Sequence, residues 1–202
     1  MSELSGSFAV LPDAEHHCAA AVAVADTQRW LERAVVGLNL CPFAKAVHTR
    51  GQIHYAVSSA ETAEKLLFDL EIELNNLLAM ESSARDTTLL IAPYFGDFDL
   101  FNDLCVLADL HLRLHGLQKQ IQLASFHPRY RFAGAPEGDI SHAAHRSPHP
   151  TLHLLREASV AAALAGFPDA DKASEAILER NGQTLRKLGW AGWQALGTGP
   201  CA

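Results

Sequence analysis

Apolar positions recur along this chain with two periods, and the places where one gives way to the other mark its elements. Residues 1 to 14 keep neither period and read as a loose tail. Trp30, Ala34 and Leu38 then fall four apart on one helical face; Asp26 is suited to cap that helix and Gly37 or Asn39 to end it. Pro42 fits the first turn of another helix, which sets Cys41 at or near its N-cap. Residues 53–57, Ile-His-Tyr-Ala-Val, predict a first strand. Ser58 with Glu61 forms a capping box, after which Leu66, Leu70, Leu74 and Leu77 keep helical spacing. A second strand, buried on both faces, is expected from Thr87 until Pro93 stops it. Phe98, Phe101, Leu104, Cys105, Ala108 and Leu112 give a helix closed by Gly116, with Cys105 in the core.

Residues 120–126 alternate and predict a third strand, followed by more than twenty residues rich in His, Arg, Pro and Gly. Helical spacing is then read from Thr151 to Leu164, broken by Gly166 and Pro168, and again from Asp171 to Leu188, ending near Gly189. Strands alternating with helices specify an α/β fold: one sandwich domain over residues 15–195, with a small sheet of three or more strands and flanking helices, and a short tail from 196. Ligands of such sheets bind beyond the carboxyl ends of the strands, where both the Pro93–Gly96 turn and the long loop fall.

The formal charge of −7 and the absence of any Lys/Arg block argue against nucleic acid as a partner. No run reaches the roughly 20 apolar residues of a membrane span. The stretch from Cys18 to Ala25 is short and is preceded by acidic residues, unlike a secretion signal. A cytoplasmic protein is expected, with Cys18, Cys41, Cys105 and Cys201 as reduced thiols, since they lie far apart and form no C-x-x-C pair. There is no Walker loop, no G-x-G-x-x-G after a strand, no H-E-x-x-H and no G-x-S-x-G.

Chemistry concentrates between Ser125 and Glu157. A connection that long is functional or disordered, and its aromatic and arginine content argues for function. Pro128 holds His127 in extended backbone at a strand end, where an imidazole serves as general base, metal ligand or loop latch. Read on a helix, His153, Arg156 and Glu157 share a face at i, i+3 and i+4, either as an anion clamp with an oriented histidine or as a solvated ion-pair surface. Arg146, near the predicted start of that helix, and Arg129 and Arg131 add local positive charge to an acidic chain. Cys41 is open to two readings, a thiolate activated by a helix N-terminus or a small apolar plug. His111 and His115 sit four apart but lack a third ligand nearby, and suit a helix C-terminus. His16-His17-Cys18 reads as exposed and incidental, and Trp190 and Trp193 as packed on the core.

Gly37-Leu38-Asn39-Leu40-Cys41-Pro42-Phe43-Ala44, Ser125-Phe126-His127-Pro128 with Tyr130 and Phe132, and Arg146-Ser147-Pro148 with residues 150–157 together resemble the family known as domain of unknown function 1415. That resemblance spans about Asp26 to Trp193 and carries no activity with it. It implies Asn as the usual residue at His142 and His145 and Tyr at His149, whereas His127 and His153 fall on motif positions. A metal site of His142, His145 and His149 would then be peculiar to this chain.

The leading expectation is an enzyme acting on a small anionic metabolite, a carboxylate or a phosphate. Its catalytic candidates are His127, His153, Cys41 and Glu157, and its ligand-binding candidates Arg146, Arg156, Arg129, Tyr130 and Asn39. The alternative is a haem or divalent-metal protein using His127, His153 or Cys41 as ligands. A third is a structural or partner-binding domain in which the same motifs latch the long loop.

Overall fold

The computed structural model describes residues 12–165 and 172–200, with side chains from residue 18 onward. Its four-stranded sheet has the order β1-β2-β4-β3, formed by β1 (Ile53–Val57), β2 (Thr87–Ile91), β3 (Ile121–Phe126) and β4 (Thr151–Arg156). β1 and β2 are parallel, while β4 runs antiparallel to both its neighbours. The register aligns Val57 with Ile91, Ile91 with Thr151, and Thr151 with Phe126. One edge of the sheet therefore gathers the carboxyl ends of β1, β2 and β3 and the start of β4.

The helices are α1 (Pro12–Trp30, continued by a wider turn over Leu31–Val36), α2 (Ala44–Thr49), α3 (Ala63–Ala79), α4 (Phe98–Leu114), α5 (Glu157–Leu164) and α6 (Ala173–Ala195). One sheet face packs Leu90, Leu152, Leu154 and Ile121 against α3 and α4, through Leu66, Leu70, Leu74, Leu77, Phe101, Leu104 and Ala108. The other places Ile53, Tyr55 and Phe126 under Trp30, Leu31 and Ala34 at the end of α1, with Trp193 of α6. All five residues of β2 are buried, as expected of a strand covered on both sides. Cys105 packs partly buried against the first core, and burial pushes its thiol up to about 11.

Several expectations are corrected. Residues Thr151–Arg156 form β4, hydrogen-bonded to β2 and β3, and only Glu157–Leu164 is helical. Asp26 does not cap a helix start, because α1 begins at Pro12, inside the predicted tail. The Asp26 carboxylate is instead buried in mid-helix, paired with Arg29 and accepting from His149 Nε2 at 3.1 Å. Thr62, not Ser58, caps α3 by accepting from Lys65 N; Ser58 Oγ bonds Asp69 and Ala60 N. The last helix bends at Gly189, whose φ of 69° needs a residue without Cβ, and resumes to Ala195. That bend packs Trp190 and Trp193 partly buried against the core, as the sequence suggested. The expected break at Gly166 and Pro168, the helix start at Asp171, the side chains of His16 and His17, and Cys201 lie outside the described residues.

Candidate functional site

Two loops meet at the carboxyl edge of the sheet. After β2, Asp97 turns the chain into α4 by accepting from Asp99 N and Leu100 N, both at 3.0 Å. After β3 the long loop doubles back on itself. Asp139 starts a 3₁₀ turn, Ile140–His145, by accepting from Ser141 N. His142 is fully engaged inside the loop: Nδ1 accepts from Phe132 N at 3.1 Å, so the proton sits on Nε2, which donates to Pro136 O at 2.8 Å. Trp190 Nε1 ties the loop to α6 by donating to Gly138 O.

His127 lies between the rings of Phe98 and Phe101, with centroids 5.1 and 5.3 Å away, and is 1% exposed. Its Nδ1 accepts from Arg129 N at 3.0 Å, which puts the proton on an enclosed Nε2 that meets the Gly96 backbone without forming a well-aligned hydrogen bond. Burial, and secondarily the Arg129 charge, drop its pKa to about 4. At neutral pH it is an uncharged histidine sealed in an aromatic sandwich.

Outside that sandwich is a cleft of about 360 Å³ whose lining includes Arg129, Arg131, Arg146, Asp97, Asp99 and Glu137. Each guanidinium is held without a carboxylate. Arg129 Nη2 donates to Gly96 O at 2.6 Å, Arg131 lies 5.6 Å over the Phe98 ring, and Arg146 lies 5.4 Å over Trp190 while Nε donates to Tyr130 O. Among the described residues none of the three forms a salt bridge. Burial and the neighbouring Arg131 both disfavour the charge of Arg146. Asp97 spends its carboxylate on the α4 N-terminus, and those backbone donors, with Arg129 and His127, hold its pKa low.

Behind this cleft, a run of rings leads into the fold: Tyr130 to His145 at 4.7 Å, His145 to Phe126 at 5.4 Å, and Phe126 to His153 at 6.0 Å. It ends at an apolar cavity of about 220 Å³ bordered by Cys41, His145 and His153. Cys41 lies two residues before Phe43, the N-cap position of α2, so Pro42 stands ahead of the helix and not in its first turn as expected. Burial raises the thiol pKa, outweighing the Phe43 and Ala44 backbone donors, so it is a protonated thiol rather than an activated thiolate.

The sequence candidates thus divide between two cavities. Arg129 and Arg146 line the charged cleft, Tyr130 and His127 pack against the Phe98 ring that borders it, and Cys41 and His153 line the apolar cavity. The shared face of His153, Arg156 and Glu157 does not exist, because alternation along β4 sends His153 and Arg156 to opposite sides of the sheet. Arg156 donates to Leu77 O, Met80 O and Arg85 O, tying down the end of α3, and lines neither cavity. Glu157 opens α5, with its N donating to Gln120 O. Asn39 is an exposed turn residue with φ 53° whose carbonyl accepts from Arg180. Arg131, noted in the sequence only for its positive charge beside Arg129, lines the cleft, and His145, weighed there only as part of a metal site, lines the apolar cavity.

Among the described residues no three His, Cys, Asp or Glu side chains cluster closely enough to hold a metal ion together, and no helix is long and apolar enough to cross a membrane. No curated protein and no solved structure matches the chain. The family described as "Protein of unknown function (DUF1415)" matches residues 22–195, which include the lining of both cavities, and the chain belongs to that family.

Proposed function

We propose that this chain binds a small anionic metabolite, a carboxylate or a phosphate, in the cleft of Arg129, Arg131 and Arg146. The observation carrying this reading is the convergence of three guanidinium groups without a salt bridge on one cleft of a chain whose net charge is −7. Three like charges gathered without a direct ion pair repel one another, with Asp97, Asp99 and Glu137 offsetting them only at a distance, and a ligand anion relieves that repulsion while taking bidentate hydrogen bonds. Glu137 and Asp99 on the same rim favour an anion that also carries a hydroxyl or ammonium group, since a bare polyanion would meet them unfavourably. His127 supports the cleft by holding the Arg129 backbone, and general acid–base work by it is not part of the proposal, because its buried N–H is not open to the cleft.

Calorimetric titration with phosphate, malate, citrate and phosphoserine tests this. At least one should bind, with affinity falling about tenfold or more in Arg146→Ala, the loss of one charge-assisted pair, and less in Arg146→Lys. Absence of binding by all four, or equal binding by wild type and Arg146→Ala, overturns the proposal.

A further inference from the structure

The apolar cavity has the opposite electrical character to the arginine cleft, and the hydrogen bonds around it fix what it can accept. Thr87 Oγ1 lies 2.6 Å from Leu154 O and 2.7 Å from His153 Nε2. A hydroxyl has one proton, and the carbonyl can only accept, so Thr87 donates to Leu154 O and must accept from His153. His153 is therefore protonated on Nε2, and its Nδ1 carries a lone pair. His145 Nδ1 faces the Ser125 carbonyl at 3.3 Å and must donate to it, which leaves the lone pair on Nε2. Neither free nitrogen has a partner among the described residues, and neither is enclosed in the way His127 Nε2 is.

The rest of the lining is mostly apolar, drawn from the turn before α2, from β3 and β4, and from α5 and α6, with Leu40, Phe43, Phe126, Leu155, Val160 and Ile177 among it and Gln122, Ser174 and Asn181 as its other polar residues. The buried Asn181 amide already gives its Nδ2 to Leu40 O at 2.7 Å. Burial keeps His145 and His153 neutral and Cys41 protonated, so no charged group among them awaits a counter-ion. An apolar wall with a few oriented polar atoms is the usual make-up of a small-molecule site, and 220 Å³ is below the roughly 300–1,000 Å³ of drug-sized pockets.

We propose that this cavity is a second binding site, for a small neutral apolar molecule that carries a hydroxyl or N–H donor and gives it to the imidazole acceptors of His153 and His145. The site is independent of the anion cleft, so either can fail without the other.

The probes are 4-ethylphenol and its methyl ether, which share a ring and an alkyl group but differ in the donor. Ligand-observed NMR and calorimetry on the full chain should show the phenol binding about fivefold more tightly than the ether, one neutral hydrogen bond's worth. His153→Phe keeps the ring and removes the acceptor. It should cut the phenol preference while leaving the ether within about twofold, and His145→Phe provides the same test at the second acceptor. Ala163→Trp, on the α5 wall, should abolish binding of both probes. Arg146→Ala should change neither. Failure of both probes to bind the wild type overturns the proposal, as does a phenol preference unchanged in both histidine variants of native circular dichroism.

Discussion

Two histidines held neutral inside the fold make the protein sensitive to mild acid. His127 and His153 have pKa values pushed down to about 4, chiefly by burial, from an ordinary 6.5. An unfolded chain takes up a proton on each as the pH falls through 6.5, whereas the folded chain resists until near 4. Their contribution is therefore fully present above 6.5 and drains away between 6.5 and 4 as pH falls. Each histidine costs about 2 kcal/mol between pH 7 and pH 5, so the pair removes about 4 kcal/mol from a typical total of roughly 5–15 kcal/mol. Asp97 and Asp139, whose pKa values are lowered by backbone donors, lose their contribution only at more acid pH, whereas His145 and His54, whose pKa values burial also lowers, add to the loss in this window. Urea unfolding followed by the fluorescence of the three tryptophans at pH 7, 6 and 5 measures the loss, with a constant m-value as the control. His127→Phe and His153→Phe are each less stable at pH 7, but each should recover its own share of about 2 kcal/mol in the pH-dependent part. Equal stability at pH 7 and pH 5, or variants as acid-sensitive as the wild type, would refute the assignment of these two residues as buried and neutral.

Arg156→Ala frees three carbonyls at the end of α3 and should cost about 2–3 kcal/mol of unfolding free energy, while anion titrations of the folded variant stay unchanged. Asp26→Ala leaves Arg29 and His149 without their buried carboxylate and should cost about 3 kcal/mol in the same assay; Asp26→Asn should cost less. Iodoacetamide at pH 7, followed by peptide mass mapping, should label exposed Cys18 well before Cys41 and Cys105, whose thiol pKa values burial has raised. Labelling of Cys41 first would show that its thiol is activated after all.

The strands and helices with a clean period were legible in the sequence: β1, β2, β3, α3 and α4 stand where alternation or helical spacing put them. β4 was not. Thr-Leu-His-Leu-Leu-Arg places apolar residues at 152, 154 and 155, which satisfies both periods, and burial between two strands removes the polar alternation that identifies an exposed strand. The long loop and the turn after β2 could be placed at one sheet edge because strand ends are where such loops fall. Which histidines are occupied could not be read, because their partners are remote in sequence: His149 bonds Asp26, His153 bonds Thr87, and the Arg156 guanidinium ends at Leu77. Local spacing therefore brought out the titratable residues but could not separate a free imidazole from a structural one.

The position of β4 sets the order in which the sheet can be completed during synthesis. It is the last strand to be made, yet it lies between β2 and β3. A nascent chain that has emerged only as far as Pro150 has β2 paired on one side, with the backbone of Leu89, Leu90 and Ile91 open on the other, and β3 has no strand partner at all. Both edges close together when Thr151–Arg156 arrives, so the long loop must already have folded back across the sheet. Stalled or truncated chains ending before Arg156 carry two sticky strand edges, and chaperone demand should peak in that interval of translation.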